Sequence, residues 1–67
     1  MQAYDYFVHD DRRDAPVRRR AHVPGIEDAR RLAERILRET YHHVSVEVWT
    51  EGERVFTVKD GEENAAA

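Results

Sequence analysis

Ile26, Ala29, Leu32, Ala33, Ile36, Leu37 and Tyr41 recur at helical spacing, with Glu27, Arg30, Arg31, Glu34, Arg35 and Arg38 between them. Such a stripe specifies one amphipathic helix over 26–41, apolar on one side and charged on the other. Runs of period-two alternation flank it on both sides, so the helix reads as the single lid of a small sheet. The expected fold class is α+β. Its order is β-β-α-β-β, with one amphipathic helix packed on one face of a four-stranded, mainly antiparallel sheet.

The first strand is expected over 4–9, rich in aromatic and β-branched residues. Tyr4, Tyr6 and Val8 share one face and Asp5, Phe7 and His9 the other, so aromatics on both sides suggest a central strand covered twice. A polar loop over 10–16, closed by Pro16, leads to a second strand over 17–23. There Val17, Ala21 and Val23 share a face with Arg19, while Arg18, Arg20 and His22 oppose them. The discordant Arg19 fits near an edge, where its stem covers apolar surface and its head reaches water. The two strands are expected to form a hairpin.

Pro24-Gly25 breaks the strand, and Glu27 and Asp28 suit the positive end of the helix dipole. Glu27 with Arg31, and Glu34 with Arg38, stand four apart in the favourable order, each pair contributing roughly 0.3 kcal/mol. Arg38, His42 and His43 favour the negative end. In the third strand Val44, Val46 and Val48 alternate with Ser45, Glu47 and Trp49, and 54–59 returns as the fourth. A three-residue loop would set Val48 opposite Phe56 and Val46 opposite Val58, leaving only Trp49 and Val55 off the apolar face. A two-residue loop would set Thr57 opposite Val46, which is the poorer pattern.

Sixty-seven residues make one domain, expected to span 1–61, with 62–67 as a disordered tail. There is no cysteine, hence no disulfide framework and no thiolate zinc site, as suits a cytoplasmic protein. No apolar run approaches the roughly 20 residues that span a bilayer, so no membrane partner is expected. The opening residues have no basic region ahead of an apolar one, unlike a secretory signal. A formal charge of −3 argues against wholesale nucleic-acid binding, which needs a basic footprint.

His9-Asp10-Asp11 and His42-His43 are the nearest approaches to a metal site. Neighbours on a strand point to opposite sides, and no HxxxH or HExxH spacing occurs, so neither a metal nor a cofactor is expected. Ser45 is the one serine and the three glycines are isolated, which leaves no nucleophile with a partner and no phosphate loop. The chain reads as a non-enzyme with no catalytic residues.

Arg18, Arg19 and Arg20, preceded by Arg12 and Arg13, form the strongest basic cluster. If Arg18 and Arg20 share an open sheet face with Trp49 and a tyrosine, they make a surface for partners, since Trp, Tyr and Arg dominate interface hot spots. The plain alternative is a solvated face whose arginines pair with Glu47 or Glu53. Trp49 clustered with Tyr4 or Tyr6 and Val55 would also suit a dimer interface.

The segments Tyr4-Asp5-Tyr6-Phe7-Val8-His9-Asp10-Asp11, Ile26-Glu27-Asp28-Ala29-Arg30-Arg31-Leu32-Ala33 and Val46-Glu47-Val48-Trp49, with Val55-Phe56-Thr57-Val58, resemble a family of short uncharacterised bacterial proteins. That resemblance implies the β-β-α-β-β fold and brings no activity to carry over. In size and element order the chain is also similar to small phage anti-CRISPR proteins, which implies an inhibitor without a catalytic site. The leading expectation is a binding module that docks on a larger protein or nucleoprotein complex through Arg12, Arg13, Arg18, Arg20 and Trp49. The alternatives are a nucleic-acid-binding module using the same face and a structural homodimer.

Overall fold

A computed structural model describes residues 1–59 and has the order β1 (Gln2–Asp10), β2 (Val17–Val23), α1 (Ile26–Leu37), β3 (His43–Thr50) and β4 (Glu53–Lys59). One antiparallel sheet runs β2-β1-β3-β4, with α1 packed on one face. The expected α+β class and element order hold. The expected end of the domain at Asp60-Gly61 and the tail over 62–67 lie outside the described residues.

Alternation sets the core. Tyr4, Tyr6 and Val8 of β1, Val46 and Val48 of β3 and Val58 of β4 meet Ala29, Ala33 and Ile36 of α1. The two alanines, four apart on the buried stripe, keep the helix close to the sheet and leave room for the tyrosine rings. Ala21, Val23, Leu32, Leu37 and Phe56 close the margins. The Arg30 guanidinium lies 4.5 Å over the Phe56 ring, a cation–π contact at the rim. Among the described residues β1 is central but covered on one side only, so Asp5, Phe7 and His9 face away from the helix.

The helix is shorter than its stripe. It ends at Leu37, and Tyr41, expected on the apolar side, is 86% exposed and lies against His42 with ring centroids 4.1 Å apart. Ile26 at the other end is half exposed. The Ile36 carbonyl accepts from the Glu39 N–H at 3.1 Å and from His43 Nδ1 at 2.6 Å, and these bonds end the helix from outside it. His43 thus plays the expected terminating role, whereas His42 turns instead to Asp11. Neither four-apart pair forms an ion pair; Arg31 reaches Asp28 at 3.6 Å instead.

Two bulges break the ladders of β3, one in β3 itself and one in its partner β4. Asp10 lies opposite His43 while His9 lies opposite Ser45, so Val44 is the extra residue and turns out to 45% exposure. The expected alternation of three valines therefore fails at Val44, and buried His43 takes its place on the core side. At the other end the turn is Glu51-Gly52, with φ of 53° and 80°, as a two-residue type I′ turn requires. Val48 nevertheless pairs with Phe56 and Val46 with Val58, because Arg54 and Val55 together oppose Trp49. The apolar register is the expected one; a short turn plus a bulge replaces the three-residue loop.

Glu51 carries a side chain in a left-handed conformation that asparagine tolerates better. Glu51→Asn should therefore raise stability by about 0.5 kcal/mol, or a few degrees in Tm. A thermal melt that shifts downward instead would show that the contact of Gln2 Nε2 with Glu51 at 3.3 Å outweighs the backbone.

Candidate functional site

The face of the sheet away from α1 is the candidate site, and register assembles it row by row. Asp5 stands between Arg20 on β2 and Trp49 on β3, and Phe7 stands between Arg18 and Glu47. His9 and Ser45 form the next row, with Lys59 beyond them on β4. No described element covers these residues.

Asp5 organises the β2 side. Its carboxylate accepts from Arg20 Nε at 2.9 Å and from Arg18 Nε at 3.3 Å. The Arg20 hydrogen bond, with the Arg18 charge beside it, holds the Asp5 carboxyl below its ordinary value despite partial desolvation. Two guanidiniums share one carboxylate, so one positive charge is left over. Both arginine side chains remain more than half exposed and keep unused N–H donors. The expected pairing with Glu47 or Glu53 is replaced by the nearer Asp5.

Glu47 organises the other half. Trp49 Nε1 donates to Glu47 Oε1 at 3.1 Å, and Glu47 Oε2 lies 3.2 Å from His9 Nε2. Phe7 meets Trp49 edge to face, with ring centroids 6.1 Å apart at 77°. The Glu47 bond and the Phe7 ring hold the indole from two sides, so little rotamer freedom would be lost on contact with a partner. Tyr4 and Tyr6, expected as neighbours of Trp49, lie in the core on the opposite face. The aromatic beside Trp49 is Phe7.

The expected contact residues thus divide. Arg18, Arg20 and Trp49 come together on the open face. Arg12 and Arg13 lie in the β1–β2 loop at the end of the sheet. Arg12 folds back on Asp10, giving Nε to Oδ1 at 2.9 Å and Nη2 to Oδ2 at 2.6 Å, while its own N–H bonds Oδ1 at 2.8 Å. The Arg13 N–H donates to the Asp10 carbonyl at 3.1 Å. Arg19, on the helix side of β2, makes a two-pronged pair with Glu39 at 2.9 and 3.1 Å.

Asp5, Phe7, His9 and Glu47 were not among the expected contacts. Alternation already put the first three on the face of Arg18 and Arg20, and that was the available signal. No family model, curated protein or solved structure matches the chain. Among the described residues no group of three His, Cys, Asp or Glu is placed to hold a metal ion, and no helix is long and apolar enough to cross a membrane. His9 and Asp10 point to opposite faces, and the two neighbouring histidines part company, His42 to Asp11 at 2.9 Å and His43 to the core.

Proposed function

We propose that this domain is a non-enzymatic binding module that docks on a larger protein or nucleoprotein complex through its open sheet face, as an inhibitor or adaptor would. The observation that carries this reading is the Phe7–Trp49 pair, held in place on an uncovered sheet and framed by Arg18 and Arg20. Aromatic and arginine side chains with restricted rotamers are what interface hot spots use. The nucleic-acid reading is weaker, because Asp5 and Glu47 place carboxylates within the patch itself and a phosphate backbone favours an uninterrupted basic track. The similarity in build to small phage inhibitors is compatible with this reading and adds no contact residue to it.

The test compares affinity capture from host lysate by wild type, Trp49→Ala and the double variant Arg18→Gln/Arg20→Gln, with and without nuclease. A discrete protein that survives nuclease and is lost about tenfold or more in both variants supports the reading. Capture unchanged by either variant removes the face from consideration. Partners that vanish with nuclease move the assignment to nucleic acid, and capture of the chain by itself moves it to a homodimer.

A further inference from the structure

Among the described residues the sheet has two free edges, and they differ. β4 is kinked by the Val55 bulge, a device that twists an edge away from further pairing. β2 pairs with β1 in unbroken register from Val17 to Val23, has no internal proline and is exposed over most of its length. Every second residue of such an edge directs its N–H and C=O outward with no strand to receive them.

The side chains along β2 select what can pair there. A second copy meeting β2 antiparallel about its centre would set Arg20 opposite Arg20, and a shift of the centre to Arg19 would set Arg18 opposite Arg20 and Arg19 opposite Arg19; like charges directly opposite are destabilising. An acidic strand meets the reverse situation. Its carboxylates on the open face would fall beside Arg18 and Arg20, whose surplus charge and spare donors Asp5 leaves unmet. Its alternate residues would lie on the helix side, beside Val17 at 40% exposure and the half-buried Ala21 and Val23, with the Arg19 charge among them already met by Glu39, so apolar side chains fit there. The same arginines that repel a copy of this chain admit that partner.

We propose that β2 is the receiving edge for an extended acidic segment of a partner protein, which adds as a fifth strand with alternating acidic and apolar residues. The inference rests on the partner-binding reading above and specifies its mode. Backbone hydrogen bonds supply the docking, Arg18 and Arg20 read the carboxylates, and the Phe7–Trp49 pair lies inboard on the same face for the rest of the partner.

The probe is a short end-blocked peptide of alternating valine and glutamate, titrated into isotope-labelled protein and followed by amide NMR shifts. Two further versions carry N-methyl groups on one or the other alternate set of backbone nitrogens. A valine-lysine peptide and an oligothymidylate complete the series. The expected result is a set of shifts centred on β2, with one N-methyl pattern tolerated and the other weakening binding about tenfold or more. Arg18→Gln/Arg20→Gln should weaken it about as much, with an unchanged circular dichroism spectrum certifying the fold. Tolerance of both N-methyl patterns, or shifts centred on β4, would overturn strand addition at β2 while leaving partner binding by the face intact. Absence of peptide binding overturns the proposal, as does equal binding of the lysine peptide. Shifts induced by oligothymidylate alone overturn both the proposal and the reading beneath it.

Discussion

Tyr6→Phe is expected to make this protein more stable, and Tyr6→Ala to unfold it. Tyr6 has no exposed surface and its hydroxyl finds no hydrogen-bond partner among the described residues. A buried donor without a partner costs about 1–3 kcal/mol, so removing the oxygen should return about 1 kcal/mol after allowance for the small void it leaves. In a domain of this size that is a rise of about 4–8 °C in Tm. Truncation to alanine removes the largest fully buried side chain of the core at a cost of about 3–5 kcal/mol, comparable with the whole stability of so short a chain. Burial also pushes the Tyr6 phenol above its ordinary value. In the wild type the unfolded chain therefore loses its proton first, and stability should fall as pH rises beyond about 10, a loss the phenylalanine variant is spared. Urea titrations followed by Trp49 fluorescence measure all three effects. A marked loss of stability in Tyr6→Phe would mean that the hydroxyl is satisfied after all.

The second large effect is at low pH. Arg12 grips both oxygens of Asp10 and its backbone N–H adds a third bond, which together hold the Asp10 carboxyl well below the usual carboxylate range. A lowered folded pKa means stability that is present above the unfolded value, about 3.9, and is lost as pH falls below it. Asp5 and Glu39 are lowered in the same sense by Arg20 and Arg19. The Tm of the wild type should accordingly drop from about pH 5 downward. Asp10→Asn should lower Tm at neutral pH and flatten the acid limb, because up to about one proton fewer is taken up on unfolding. Asp5→Asn, at a more open site, should flatten it less. Parallel Tm-versus-pH curves for wild type and Asp10→Asn would show that Asp10 is not the group that titrates.

What could be read in the residues follows the reach of the interactions involved. Which residues share a face was legible because alternation is local, Tyr4 with Tyr6 and Val8, and Arg18 with Arg20; which face of β1 the helix covers, and so where Trp49 lies relative to the tyrosines, was not. Nor was the end of the helix, since the stripe continues through Tyr41 with no glycine or proline to stop it. The decisive bonds come from His43, seven residues beyond the carbonyl it caps. Val44 misled for a related reason. Three alternating valines announce a plain strand, yet placing His43 inside against Asp10 and the helix end turns one of them outward. At the hairpin the apolar register outweighed loop length, and a bulge at Val55 reconciled a two-residue turn with it. Within the site, residue types announced a contact surface, but the sharing of Asp5 between two arginines depends on strand register, which no local pattern prints.

The placement of β1 between β2 and β3 also sets a timetable for the chain during synthesis. The hairpin of β1 and β2 is complete at Val23, yet the strand that flanks β1 on its other side is not finished until Thr50. A lone two-stranded hairpin is marginal in water, so Tyr4, Tyr6 and Val8 must wait for both the helix and β3 before anything durable covers them. At about 5–20 residues per second of translation that interval is on the order of a few seconds. The three consecutive arginines of β2 lie on the nascent hairpin throughout it. Arginines facing arginines oppose the edge-to-edge pairing of two such unfinished hairpins along β2 until the rest of the sheet is in place.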